Sequence, residues 1–193
     1  MSYCSIIIHI RSLLFRLFTG VGVLTAILVF SGLLTGCVED KEEGELSLDA
    51  GSRMPEFSVT LMDGEVFSTD NLTNSGISNL LILFFNTECQ DCQQKLPEIQ
   101  TLYDRILKDE KLAKQTRIIC IAREEGAEEV RSFWETHNLT LPVSPQSDRK
   151  IYNLFANIGI PRLYLINTST STVRAAWSPT NISIEEVFSQ LQK

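Results

Sequence analysis

Cys89 and Cys92 stand two residues apart in Phe84-Phe85-Asn86-Thr87-Glu88-Cys89-Gln90-Asp91-Cys92. An apolar run from Asn79 to Phe85 leads straight into them, so a strand is expected to deliver the pair to the start of a helix. At that spacing the two sulfurs can join covalently. The helix start supplies unpaired N–H groups and a positive dipole, both of which favour a thiolate on the first sulfur. That is the geometry of thiol–disulfide exchange. A structural disulfide or half of a zinc site uses the same spacing. A closed zinc site needs a full tetrahedral set of ligands. Beyond the pair, the chain after Gly36 offers only Cys37, Cys120 within Ile118-Ile119-Cys120-Ile121, and His137, with no second close pair. No metal is therefore expected.

The elements that must position the pair follow from the hydrophobic pattern. Pro55 to Leu61 alternates like a half-buried strand, Asp63-Gly64 signals a hairpin turn, and Val66-Phe67 begins the return strand. The continuous apolar character of Leu80 to Phe85 predicts a strand buried on both faces of a mixed or parallel sheet. A helix is expected from about Cys89 to Lys111, with Leu96, Ile99, Leu102, Tyr103 and Ile106 on one face and Pro97 kinking it. Arg117 to Ala122 reads as a second buried strand and Ala127 to His137 as a second helix. Pro142-Val143 marks a short extended piece, and Ser147 is expected to cap a helix running to about Ala156. Leu163 to Ile166 and Val173 to Trp177 form a hairpin around Asn167-Thr168-Ser169, and Ser183 with Glu186 makes a capping box for a terminal helix. Cys120, Trp134 and Trp177 are expected in the core, and His137 at a helix end.

The chain has 193 residues, a formal net charge of −7 and 44% hydrophobic residues, which fits one domain plus an appendage. In the appendage, Arg11 and Arg16 precede an uncharged stretch from Leu17 to Gly36, and no acidic residue occurs before Glu39. This is a secretory signal pattern, long enough that a retained membrane-spanning helix is the competing reading. Leu34-Thr35-Gly36-Cys37 resembles the bacterial lipobox, which implies cleavage before Cys37 and lipid attachment to it. Removing residues 1–36 leaves 157 residues with 15 basic and 24 acidic side chains, a net −9. Nucleic acid and anionic lipid surfaces are poor partners for that charge, so membrane attachment falls to the lipid. Residues 37–53 carry Glu39, Asp40, Glu42, Glu43, Glu45 and Asp49 with little apolar periodicity, and are expected to form an acidic flexible tether. The domain is expected over 54–193.

The order of elements and four local motifs resemble the thioredoxin-like fold, in particular the TlpA-like extracytoplasmic thiol–disulfide oxidoreductases. Pro55-Glu56-Phe57 with the Asp63-Gly64 turn matches that branch's N-terminal β-hairpin addition, and Cys89 and Cys92 match its redox pair. Pro97 matches the family's helix proline. Ile160-Pro161, ahead of Leu163-Tyr164-Leu165-Ile166, matches its cis-proline. The resemblance implies an α/β fold with a mixed sheet flanked by helices, and a cis-proline beside the dithiol. It also implies that Ile160 presents backbone groups to an extended substrate segment. Two departures stand out: Glu88 replaces the tryptophan usual before the first cysteine, and Leu83 occupies the place of thioredoxin's buried aspartate. Glu88 and Asp91 are candidates for tuning the pair, because negative charge beside Cys89 disfavours its thiolate and makes the reduced form a better electron donor.

The expected function is a lipid-anchored oxidoreductase of the bacterial cell envelope, facing the periplasm or exterior. Cys89 attacks and Cys92 resolves. The expected partners are cysteine-containing extracytoplasmic proteins and an upstream electron-donor protein, with no cofactor required. Two rivals use the same residues. A thiol peroxidase has a pattern resembling Pro-x-x-x-Thr-x-x-Cys, but Ile82 and Asn86 occupy its two key places here. A metallochaperone would hold copper(I) on the two thiolates.

Overall fold

Asn79–Phe85 forms strand β3, and all seven of its residues are buried. Such a run has no face that tolerates water, so it must lie inside a sheet covered on both sides. In the computed structural model, which describes residues 46–193, β3 is the middle strand of five. It pairs in parallel with β4 (Thr116–Ala122) and antiparallel with β6 (Arg162–Asn167). The short β5 (Val143–Ser144) and the strand β7 (Thr172–Trp177) complete the edges in the order β5-β4-β3-β6-β7. The helices are α1 (Gln90–Lys108), α2 (Glu110–Gln115), α3 (Ala127–Thr136) and α4 (Ile184–Leu191). A separate hairpin, β1 (Ser58–Thr60) with β2 (Val66–Ser68), precedes the sheet.

The strand period of two sorts β3 between two cores. Leu81, Leu83 and Phe85 join Leu96, Ile99, Leu102 and Ile106 of α1, with Val130 and Trp134 of α3 and Val187 and Leu191 of α4. Leu80, Ile82 and Phe84 join the hairpin residues Val59 and Phe67, with Phe57, Tyr152, Phe155 and Tyr164. This is the expected thioredoxin-like mixed sheet flanked by helices, with the N-terminal hairpin on one face. Cys120, Trp134 and Trp177 are all buried in the first core.

Three expectations about local structure are corrected. The helix after the cysteines ends at Lys108 instead of Lys111, although it continues through Pro97. Asp109 adopts an extended backbone, and its Oδ1 accepts from the N–H groups of Lys111 and Leu112, both at 3.0 Å, which starts α2 afresh. An aspartate that can cap two free donors favours a break over continuation. The Ser147 segment is not an α-helix but a series of turns followed by a 3₁₀ turn at Tyr152–Leu154. Tyr152 and Phe155 are both buried, and the 3₁₀ repeat brings residues three apart onto one side.

The third correction concerns the tether, whose last eight residues are laid on the domain. Leu48 N–H donates to Phe155 O at 2.9 Å, Gly51 N–H to Val173 O at 2.8 Å, and Arg53 bridges to Thr172. Leu48 packs against the second core, an apolar contact that the acidic composition concealed. The expected signal segment 1–36, Cys37 and the tether up to residue 45 lie outside the described residues. Among the described residues, no helix is long and apolar enough to cross a membrane.

Phe84 is fully buried, with ring centroids 5.1 Å from Phe155, 5.5 Å from Tyr152 and 6.1 Å from Tyr164. Phe84→Ala is expected to cost about 3–5 kcal/mol. Urea unfolding should show this as a lower midpoint with an unchanged slope; a loss under about 1 kcal/mol would mean that this aromatic cluster does not anchor the sheet.

Candidate active site

Three chain segments leave the sheet at one end because of how β3 is registered. Phe85 lies beside Ala122 of the parallel β4, so residues 86–89 and 123–125 exit together. Phe84 lies opposite Arg162 of the antiparallel β6, so the residues just before Arg162 enter at the same end. The Cys89 turn, the β4 exit and the Ile160-Pro161 entry therefore converge.

Cys89 is the N-cap of α1, with an extended backbone at φ −77 and ψ 116. Its sulfur accepts the Cys92 backbone N–H at 3.3 Å, one of the donors that a helix start leaves free. The same thiol lies 3.7 Å from the carbonyl oxygen of Ile160, to which it can donate. Cys89 is half-buried, whereas Cys92 is fully buried. Burial pushes the Cys92 thiol well up from its ordinary range, and its contact with the Cys89 sulfur pushes the same way. The two sulfurs thus differ in kind: one is partly open and capped by an N–H, the other is dry and protonated.

The Ile160–Pro161 bond is cis. The carbonyl groups before it are held from within the domain. Tyr152 Oη donates to Gly159 O at 2.8 Å, and Arg162 Nε donates to Ile158 O at 2.8 Å and to Gly159 O at 3.3 Å. Gly159 has φ +79, a left-handed conformation that disfavours any side chain there. Arg162 also donates from Nη1 to Ser47 Oγ at 2.7 Å, so the docked N-terminal segment joins the same support.

The turn before Cys89 is fastened by side chains. Asn86 Oδ1 accepts Glu88 N–H at 2.9 Å, Asn86 Nδ2 donates to Arg123 O at 3.1 Å, and Asn86 O accepts Cys89 N–H at 3.2 Å. The buried carboxylate of Glu125 accepts both the N–H and the hydroxyl of Thr87. Gln93 Nε2 donates to Thr87 O at 2.7 Å.

Of the residues singled out in the sequence, Cys89, Cys92, Ile160 and Pro161 meet at this end of the sheet. Glu88 and Asp91 flank the pair and are exposed, so solvent screens their charge. Cys120 is fully buried in the first core, where burial pushes its thiol well up. His137 sits exposed at the end of α3, its Nδ1 2.9 Å from Phe133 O and its ring stacked on Phe133. Among the described residues, no group of three or more His, Cys, Asp or Glu could hold a metal ion. Sequence reasoning missed Glu125 and Tyr152. A glutamate directly after a strand that ends at the site was a usable signal for the first; Tyr152 was masked by the expected helix.

Residues 50–175 match the family model described as the AhpC/TSA family. The chain is 25% identical over 127 residues to the thioredoxin-like protein YneN of Bacillus subtilis, covering 64% of this chain and 68% of that protein. It is 22% identical over 131 residues to the thiol-disulfide oxidoreductase ResA of the same organism, covering 68% and 69%. Among solved structures, the thioredoxin domain of a thiol-disulfide oxidoreductase from Bacteroides vulgatus superposes with a TM-score of 0.61 at 15% identity, covering 76% of this chain and 97% of that one. The crystal structure of StoA from Bacillus subtilis gives 0.56 at 19%, covering 72% and 97%. The peroxidoxin BcpB of Mycobacterium tuberculosis also superposes, at 0.59, but its 12% identity shows a shared fold alone. The chain belongs to the AhpC/TSA family, within its thioredoxin-like thiol–disulfide oxidoreductases.

Proposed function

We propose that this oxidoreductase is lipid-anchored outside the cytoplasm and reduces protein disulfides through Cys89 and Cys92. The observation that carries the reading is the asymmetry of the pair: a half-buried Cys89 sulfur capped by the Cys92 N–H, above a fully buried Cys92. The Cys89 thiolate attacks one sulfur of a partner disulfide, forming a mixed disulfide and releasing the other sulfur as a thiolate. Cys92 then loses its proton to that thiolate or to water and attacks the Cys89 sulfur. The partner's second thiol leaves, and Cys89–Cys92 becomes a disulfide. Two electrons have passed to the partner, and an upstream donor protein must return them.

The partner is a cysteine-bearing extracytoplasmic protein whose extended segment lies against Ile160 and Pro161. The carbonyl of Ile160 already faces the Cys89 sulfur, which supports this placement. The resemblance of Leu34-Thr35-Gly36-Cys37 to a lipobox supports attachment through Cys37, and the acidic surface leaves the lipid as the attraction to the membrane.

Wild-type protein should accelerate insulin reduction by dithiothreitol, and Cys89→Ser should abolish the acceleration. Equal rates would remove the dithiol from the reaction, while peroxide consumption without insulin reduction would favour the peroxidase chemistry.

Cys37→Ala is expected to leave an uncleaved precursor or a released protein, seen as a change of mass and loss of membrane partitioning. Unchanged mass and partitioning would support a retained helix.

The exposed carboxylates make a third outcome measurable. Neutralising both, Glu88→Gln with Asp91→Asn, should ease Cys89 ionisation and raise the reduction potential, by about 30 mV for each tenfold change in equilibrium constant. The wild-type couple is expected near about −270 mV, far from the strong oxidants near about −120 mV. An unchanged potential in the double variant would exclude Glu88 and Asp91 as tuning groups.

A further inference from the structure

Glu125 is a buried carboxylate that the exchange chemistry leaves unused. It lies in the segment leaving β4 and is only 7% exposed. Both of its oxygens face one residue: Thr87 N–H donates to Oε2 at 2.9 Å, and the Thr87 hydroxyl donates to Oε1. The third polar group of Thr87, its carbonyl, accepts from Gln93 Nε2 at 2.7 Å. Thr87 is thus held at every polar atom, and the residues around it form the turn that sets the Cys89 backbone. Hydrogen bonds to a charged group are the stronger kind, so this clamp ties that turn firmly to the rest of the domain.

We propose that Glu125 is a positioning residue for the redox pair: its ionised carboxylate fixes the Asn86–Glu88 turn, and the reactivity of Cys89 follows the charge state of Glu125. This rests on Cys89 being the attacking thiol. An ionised carboxylate only accepts, and both Thr87 groups donate. Protonation of Oε1 reverses the bond to the Thr87 hydroxyl, which turns to accept, so both contacts become neutral bonds of about half the strength and the turn loosens. Burial is the main force holding the Glu125 carboxyl above the ordinary carboxylate range, with repulsion from Glu88 on the turn and Glu129 on α3 adding to it. The two Thr87 bonds pull the other way. The neighbouring cations are engaged elsewhere. Arg123 and Arg149 reach Glu124 at 3.7 and 3.9 Å and lie over the Tyr152 ring.

The test is the rate of iodoacetamide alkylation of Cys89 in the reduced full-length chain from about pH 4 to about pH 9, spanning the carboxyl and thiol titrations. It is read on the Cys89 peptide by mass spectrometry. Wild type should show two inflections, one from the thiol and a lower one from Glu125. Glu125→Gln, which offers one acceptor and one donor as the protonated acid does, should lose the lower inflection. It should react roughly three- to tenfold more slowly on the plateau above the thiol titration, the size of effect that exchanging a charge-assisted bond for a neutral one allows.

Folding does not confound this. A carboxyl raised in the folded state stabilises the protein below its unfolded value, and that contribution is lost as pH rises through the folded value. Glu125→Gln should therefore gain thermal stability over wild type as pH rises to neutrality, even as Cys89 slows. Thr87→Val removes one of the bonds that lower the carboxyl and should move the lower inflection upward. A wild-type profile with a single inflection, or a second inflection that persists in Glu125→Gln while Cys89 remains reactive, would overturn the role of Glu125 alone. An unreactive Cys89 in wild type would overturn the exchange reading, and this inference with it.

Discussion

The pairing of β3 with two neighbours running in opposite senses is the constraint on which the site depends. Phe85 beside Ala122 and Phe84 opposite Arg162 place three otherwise distant segments at one end of the sheet. A slip of one residue along either ladder would turn Leu81, Leu83 and Phe85 toward the wrong core, and with them every neighbour on the strand. The two cores are different enough to forbid that: one packs the strand against helices, with Phe85, Trp134 and Trp177 among aliphatic side chains, and the other gathers Phe57, Phe67, Phe84, Phe155 and the two buried tyrosines. The same aromatic group extends to the chemistry, since Tyr152 stacks edge-on against Phe84 and donates to the carbonyl of Gly159. Packing energy and placement of the loop that leads into the cis Ile160–Pro161 bond are one interaction seen from two ends.

Within that frame the dithiol is polarised by burial. Cys89 has a backbone donor for its thiolate and an opening to solvent, whereas Cys92 has lost its solvation and keeps its proton. The order we propose for the exchange rests on this difference. In the proposed mechanism the outer sulfur attacks first because it is the reachable one, and the inner one acts once the mixed disulfide has replaced the neighbouring thiol. The acidic side chains divide in the same way. Glu88 and Asp91 are exposed to water, whereas Glu125 is bonded to Thr87 inside the fold.

Much of this was legible in the sequence where a strong local pattern met no competitor. The unbroken apolar run of β3 permits only a doubly covered strand. Asp63-Gly64 makes the first hairpin's turn, with Gly64 at φ +90 and Asp63 Oδ1 accepting Glu65 N–H at 2.9 Å. The Ser183 cap is likewise local, its hydroxyl accepting Glu186 N–H at 3.4 Å. Cys89, Cys92 and Ile160-Pro161 were found because spacing and order carry them. What stayed hidden depends on long-range contact. Asp109 interrupts a good helical stripe because its own side chain can start a new helix, and the burial of Tyr152 and Phe155 overrides the helix that Ser147 suggested. Leu48 is one apolar residue in an acidic segment, so its docking has no periodicity to betray it. Glu125 belongs to the site only through a partner 38 residues away in the chain.

The central claim is that Cys89 attacks and the buried Cys92 resolves, and trapping tests it most directly. A Cys92→Ala chain, mixed with a peptide disulfide, should stop at a stable mixed disulfide mapped to Cys89, and the same variant should hold its natural partners as mixed disulfides when isolated from cells. Adducts mapped to Cys120, or a Cys92→Ala protein that turns over as fast as wild type, would contradict the account.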